Sequence, residues 1–378
     1  MTRCTVNVSR ETQGPRRLPW AAPAALAILA MSALLLLGCT SIAGPQGWAG
    51  PTAAGGDILV SLKKGELTAL DPATGESRWT FPGESEQDDE LKLQAIYGSP
   101  VVGGERVYLG AYDGAVYALE ASSGAIVWRA ETGGAILGGP ALAGETVYVG
   151  SLDKKVYALD AETGEPRWPR PFEAGAEVWA QPVVRGDTVY VATMGGRLFA
   201  LDAETGEPRW SFKADAALPA APALAEGRLY VGGLDNRLYA LDAADGRPAW
   251  SFEAGNWFWT TPLVEDGTVY AAALDNMVYA LGTSTGQPRW SRPFETLEAV
   301  RATPALVDGV LVVADRDGNV YGLDPNTGGE AWPSFRLDAG VLANPLVLDE
   351  SVYLSARNGD LVTVDPSRGS FRKLVVAQ

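Results

Sequence analysis

Histidine is absent from the 378 residues. That removes every Ser-His-Asp and Cys-His nucleophile pair and every His-ligated zinc site. Cysteine is nearly absent too: Cys4 and Cys39 are the two copies, and both fall in or at the edge of the N-terminal segment. The body of the chain is therefore expected to hold no disulfide and no thiolate metal ligand. No metal site is expected, although a carboxylate-only active site or calcium site stays arithmetically open. Positive charge is scarce, with 30 Lys and Arg against 46 Asp and Glu. Residues 1–38 hold Arg3, Arg10, Arg16 and Arg17 against Glu11, which leaves the rest with 26 basic and 45 acidic residues, a net charge of −19. Nucleic acid and anionic lipid repel such a surface, so neither is expected as a partner. Gly (44), Pro (25), Trp (12) and Tyr (13) are plentiful. That mix fits short strands and tight turns rather than long helices.

One uncharged run stands out. Arg16-Arg17 precede Leu18 to Leu37, and the run ends Leu36-Leu37-Gly38-Cys39. A basic start, an apolar middle and a small residue before the cut make an export signal. The Leu-Leu-Gly-Cys ending resembles the bacterial lipoprotein box, which implies a signal peptide over residues 1–38 and lipidation of Cys39. Residues 39–46 then read as a tether. An uncleaved membrane anchor is the other reading, since about twenty uncharged residues span a bilayer; Pro23 and Trp20 weigh against it. Both readings export the rest of the chain, and the first ties it to the membrane only through a lipid anchor at Cys39.

Residues 47–376 are one unit repeated. A proline opens each copy at Pro51, Pro100, Pro140, Pro182, Pro222, Pro262, Pro304 and Pro345, with spacings of 49, 40, 42, 40, 40, 42 and 41 residues. A tryptophan follows 28 residues later at Trp79, Trp128, Trp168, Trp210, Trp250, Trp290 and Trp332. In the third copy, Pro140 to Leu142 reads as a first strand and Thr146 to Gly150 as a second. Val156 to Leu159 is a third, and Trp168 begins a fourth. The turn after the second strand carries pairs such as Asp113-Gly114, Asp275-Asn276 and Asp317-Gly318, which accept the positive φ of tight hairpins. Four antiparallel strands per copy, with no helix between copies, make an all-β, eight-bladed β-propeller. The segment Ala158 to Trp168, read A-x-D-x-x-x-G-x-x-x-W, recurs at Ala200–Trp210, Ala240–Trp250 and, more loosely, Ala69–Trp79. Each Trp is expected to be buried between neighbouring blades.

These segments resemble the tryptophan-docking motif of the pyrroloquinoline-quinone (PQQ) repeat superfamily of eight-bladed propellers. Within it, the layout of lipobox plus bare ring is similar to the outer-membrane assembly lipoproteins of the BamB family. That resemblance implies a non-catalytic protein-binding scaffold without cofactor, whose protein partners lie at the cell envelope. Quinoprotein dehydrogenases of the superfamily bind PQQ and calcium on the propeller axis. They carry a vicinal cysteine pair and long insertions, and this chain has neither. PQQ is not excluded by the sequence, and a PQQ-dependent or other funnel-site enzyme stays the second reading.

Function in a repeat protein is sought where the copies diverge. Besides Trp20 and the seven docking positions, the chain has Trp48, Trp179, Trp257 and Trp259, all just before an anchor proline. Three residues before each proline stand Trp48, Tyr97, Leu137, Trp179, Pro219, Trp259, Arg301 and Leu342. Propeller geometry rings these positions around one mouth of the axial channel. Trp48, Tyr97, Trp179, Trp257, Trp259 and Arg301 are therefore the candidate binding residues, for a peptide, a glycan or a small ligand. A glycan or small-ligand sensor is the third reading, and a plain aromatic plug of the channel is the structural one. The first spacing hides a second candidate, Glu84, Glu86, Asp88, Asp89 and Glu90, which reads as a solvated loop or a docking or cation site. The eighth copy has Lys373 where the tryptophan belongs, at the point where the ring must close.

Overall fold

The computed structural model describes residues 47–61, 65–83 and 93–375. The export segment, Cys39 and the acidic stretch 84–90 lie outside these residues. Among the described residues there is no helix; thirty-two strands form eight antiparallel four-stranded sheets. The protein is an eight-bladed β-propeller. Each blade uses four consecutive strands, from Thr52–Ala54, Asp57–Val60, Leu67–Leu70 and Ser77–Phe81 in blade one to Leu346–Leu348, Ser351–Ser355, Leu361–Asp365 and Ser370–Val375 in blade eight. Among the described residues no strand is exchanged between the chain ends.

The two middle strands of each blade are apolar on both faces, because a blade is covered on both sides by its neighbours. In blade three, all five residues of Thr146–Gly150 are buried. Its third strand, Lys155–Asp160, pairs in register from Thr146↔Asp160 to Gly150↔Val156.

The D-x-x-x-G turn between the third and fourth strands is a socket. Asp160 Oδ1 accepts the N–H groups of Glu162 and Thr163, both at 3.0 Å. That fixes the Ala161 carbonyl outward, where the Trp128 indole of the preceding blade donates to it at 3.0 Å. Gly164 has φ +76°, and a Cβ there would lie 2.7 Å from the Trp128 ring; only glycine meets both demands. The same bond joins Trp79 to Ala121, Trp168 to Ala203, Trp210 to Ala243, Trp250 to Thr283, Trp290 to Pro325 and Trp332 to Pro366, at 2.9–3.2 Å. The second-strand tyrosines add a bond that the motif does not reveal. Tyr108, Tyr148, Tyr190, Tyr230 and Tyr270 donate to the same carbonyl as their blade's indole, at 2.9–3.3 Å.

The fourth strands depart from expectation in two blades. Trp168 does not open a strand; the fourth strand of blade three is Phe172–Glu173, and that of blade six is Phe294–Glu295. In blade four, Phe212 follows Trp210 by two residues, whereas Phe172 and Phe294 follow Trp168 and Trp290 by four. The two extra residues loop out of the ladder, and Pro169, Pro171 and Pro293 have no N–H to give it. Pairing resumes at Val156↔Phe172 and Val278↔Phe294. The 42-residue spacings are these two insertions.

At the closing joint the indole is missing. Gly75 of blade one faces the backbone and side chain of Leu374. The core there joins Ile58, Val60 and Leu70 to Tyr353 and Leu361, with Leu374 and Val375 packed on it. Lys373 turns to Asp338 and Asp360 instead.

Candidate functional site

Each blade's outer strand leads into a short connector that returns to the inner strand of the next. The connector runs across the hairpin between the second and third strands and is stitched to it: Leu152 N–H donates to the Ala135 carbonyl, Leu234 to Ala217, and Leu274 to Trp257, at 2.8–2.9 Å. Four residues before seven of the eight anchor prolines a side chain turns into the core between blades: Ile96, Ile136, Val178, Leu218, Phe258, Val300 and Val341 are fully buried or nearly so, and Gly47 holds the place before Pro51. Alternation then turns the next residue toward the channel mouth, which is where the divergent positions fall.

The structure gathers these residues into two groups on opposite sides of the mouth. On blades one and two, the Trp48 and Tyr97 rings meet edge-on with centroids 4.5 Å apart, and Tyr97 meets Tyr112 at 5.8 Å. Trp48 is 42% exposed. Burial raises the Tyr97 phenol above its ordinary pKa, so it stays neutral at physiological pH. On the other side, Trp179 of blade four and Trp259 of blade six lean across Pro219 of blade five, with ring centroids 6.5 Å apart. Arg301 of blade seven lies over the Trp259 ring, its guanidinium carbon 5.1 Å from the centroid. Trp257 joins neither group. It precedes Phe258 by one residue and lies over the 273–277 hairpin, where Leu274 binds its carbonyl.

Arg301 is unusual. It is half-buried, and among the described residues it has no ion pair and no hydrogen bond. Desolvation lowers its pKa, and the nearby positive charges of Arg316 and Arg357 push the same way. Its Nε is buried without a partner, and so are Trp179 Nε1 and Thr260 Oγ1.

Sequence reading missed a further ring. The residues directly before the anchor prolines are Gly50, Ser99, Gly139, Gln181, Ala221, Thr261, Thr303 and Asn344. Thr303 donates its hydroxyl to the Thr261 carbonyl at 3.0 Å and its N–H to Asn344 Oδ1 at 3.1 Å. Gln181 Nε2 donates to the Pro140 carbonyl at 2.7 Å. A Cβ on Gly139 would lie 2.3 Å from the Ser99 carbonyl oxygen. The signal was a column of small and polar residues beside the prolines.

Comparison with known proteins places this geometry in a family. A family model described as "Outer membrane protein assembly factor BamB" matches residues 43–169, 112–222, 170–256, 216–332 and 275–372. The chain belongs to this family. A curated BamB from Xanthomonas campestris pv. campestris is 34% identical over 82 residues, 21% of this chain and 20% of that protein. The match thus spans about a fifth of the relative's length. Among solved structures, BamB from Moraxella catarrhalis superposes with a TM-score of 0.69 at 21% identity, covering 83% of this chain and 92% of that one. The computationally designed Ika8 protein gives 0.72 at 19% identity, covering 85% and 98%. At these identities both structures speak for the fold alone.

The BamB family shares its repeat with quinoproteins, so the fit of a quinone and calcium was tested on the donor set. Among the described residues no three Asp, Glu, His or Cys side chains converge to hold a metal, and no cysteine follows Cys39. This donor set does not fit a calcium ion beside a quinone.

Proposed function

We propose that this protein is a non-catalytic scaffold of the cell envelope that binds partner proteins through its connector face. Membership in the BamB family supports the reading, and one observation carries it. Seven of the eight joints repeat the same docking indole, turn and glycine, and a set of side chains in which the blades differ, Trp48, Tyr97, Trp179, Trp259 and Arg301, collects around the channel mouth. A rigid ring with one variable face suits recognition, because the scaffold holds the contact residues in place before binding. The N-terminal export signal and Cys39 would hold that ring at a membrane surface through a lipid. Crosslinking in intact cells followed by co-purification tests the reading. A stoichiometric envelope protein linked through the connector face is expected. Recovery of the protein alone would overturn it.

A second reading is favoured by the Trp179–Trp259–Arg301 group. Two indoles and a cation gathered at one mouth also suit a glycan or other small ligand.

A further inference from the structure

Blades three and six carry the same two-residue insertion, read Pro-Arg-Trp-x-Arg-Pro-Phe at Pro166–Phe172 and Pro288–Phe294, yet the two loops differ in charge balance. In blade three Arg167 is paired with Glu145 and Asp160, at 2.9 and 2.7 Å, and Arg170 with Glu207 of blade four at 3.8 Å. In blade six the arginines remain, as Arg289 and Arg292, and glycine holds all three acid positions, at Gly267, Gly282 and Gly329. A Cβ on Gly267 would lie 3.4 Å from Arg289 Nη2, and one on Gly282 3.9 Å from its Nε. The guanidinium thus still faces the places where blade three puts carboxylates. Both arginines are exposed, and among the described residues neither has an ion pair or a hydrogen bond. Asp266, beside Gly267, and Glu226, which accepts the Thr283 hydroxyl at 3.1 Å, leave Arg289 unpaired. The loop also borders a cavity of about 170 Å³, walled by Phe252 of blade five and by Tyr279, Pro288, Trp290 and Pro293, with Arg292 in its lining. Where blade five supplies Phe252, two residues after its docking Trp, blade two supplies Ala130 to blade three.

We propose that this loop is an anchor site for an acidic segment of a partner protein: one apolar side chain enters the cavity, and a neighbouring Asp or Glu pairs with Arg292. The cavity decides the size of the occupant. Small-molecule sites run to about 300–1,000 Å³, whereas this one has room for a single side chain between aromatic and proline walls, the form that anchors a protein contact. Charge decides what flanks that side chain. Blade three shows that the arginine at this place takes a carboxylate, and blade six leaves the place open on a chain of formal charge −16. Arg289, three residues back, adds attraction without touching the same group. An exposed ion pair contributes little affinity, so the apolar anchor supplies most of the binding and the acid supplies selectivity. The loop leads into the outermost strand of blade six and takes in none of the connector residues, so the site is independent of the connector-face reading.

Saturation-transfer NMR titration of the full chain with the peptide acetyl-Gly-Asp-Leu-Asp-Gly-amide tests it, beside the Asn counterpart and a version with Gly in place of Leu. The Leu methyl groups should receive the strongest saturation, and the version without Leu should lose most of its binding. The Asp peptide should bind about three- to fivefold more tightly than the Asn peptide in low salt, with the ratio falling toward one in 1 M salt. Arg292→Gln should remove that preference. Gly329→Glu should remove it too, by returning the acid that blade four places at Glu207; a Cβ there meets only Thr327 Oγ1 within 4 Å, at 3.4 Å, so this variant is expected to keep the fold. Ser291→Trp, at an exposed residue of the cavity lining, should weaken both peptides alike. No binding, equal binding in low salt, a preference that survives both Arg292→Gln and Gly329→Glu, or an affinity untouched by Ser291→Trp would overturn the anchor site. An envelope partner crosslinked through the connector face would then still leave the scaffold reading standing.

Discussion

Seven joints between blades are made by an indole reaching into the next blade's turn, and the joint between blades eight and one is made without one. At the seven, an indole from one blade docks on a carbonyl of the next and glycine clears the space, and at five of them a tyrosine joins the indole on that carbonyl. At the eighth, Leu374 lies on Gly75 and a lysine clasps two aspartates. The regular joints put apolar area and a directional bond in the same place. The closing joint keeps the apolar area, and its polar contact stays within blades seven and eight. The seam is therefore expected to be the weaker of the two kinds of joint and the first to open.

Removing an indole is the largest test of that difference. Trp168 is 3% exposed, and a buried Trp hides roughly 150–250 Å². Trp168→Ala should cost about 3–5 kcal/mol by transfer and cavity together. The Ala203 carbonyl is not orphaned by the change, because Tyr148 donates to it at 2.9 Å, so the loss is mainly one of packing. Urea unfolding would measure it, and an unchanged midpoint would show that the joints do not depend on their indoles.

Filling the socket from the other side should cost less. Gly206 has φ +75°, and a Cβ there would come 2.6 Å from the Trp168 ring. Gly206→Ala keeps the indole and displaces it, so roughly 1–3 kcal/mol is expected from overpacking and the left-handed backbone together. The same change at Gly144 has the positive φ, at +56°, with nothing within 4 Å. It supplies the control for backbone strain alone. Equal losses at the two sites, read from the same unfolding curves, would remove the indole contact from the explanation.

Much of this was legible before any coordinates. The prolines and tryptophans set eight blades because their spacing hardly drifts, and the third-to-fourth-strand turn reads as a turn from Asp160 and Gly164 alone. The fourth strands of blades three and six were not legible, since a spacing of 42 shows that two residues are extra without showing where they sit. Only the prolines ahead of Phe172 and Phe294 hinted at it. At the mouth, the positions of Trp48, Tyr97, Trp179, Trp259 and Arg301 followed from the repeat, but their division into two groups did not. It depends on side chains leaning across Pro219, which spacing cannot express. Trp257 was grouped with them by proximity in sequence, and among the described residues no ring or cation contact joins it to either group.

The smallest effect is expected at the lysine that stands in the missing indole's place, whose clasp ties blade eight to blade seven. Lys373→Met removes the clasp to Asp338 and Asp360 and leaves an apolar side chain beside Leu374, so its cost should be below that of Gly206→Ala. The two aspartates raise the Lys373 pKa above its ordinary value. A group with a raised folded pKa contributes fully below its unfolded pKa and loses that contribution as pH rises through the folded one. The difference between wild type and Lys373→Met should therefore be present at pH 8, shrink above about pH 10.4, and shrink also in 1 M salt, because the pair is partly exposed. Tyr157 and Tyr321, pushed up to about 12 chiefly by burial, lose stability in the same alkaline window in both proteins. The difference between the two curves is thus the quantity to follow. If Lys373→Met unfolded as readily as Trp168→Ala, and did so independently of salt and pH, the clasp between blades seven and eight would hold as much as a docked indole.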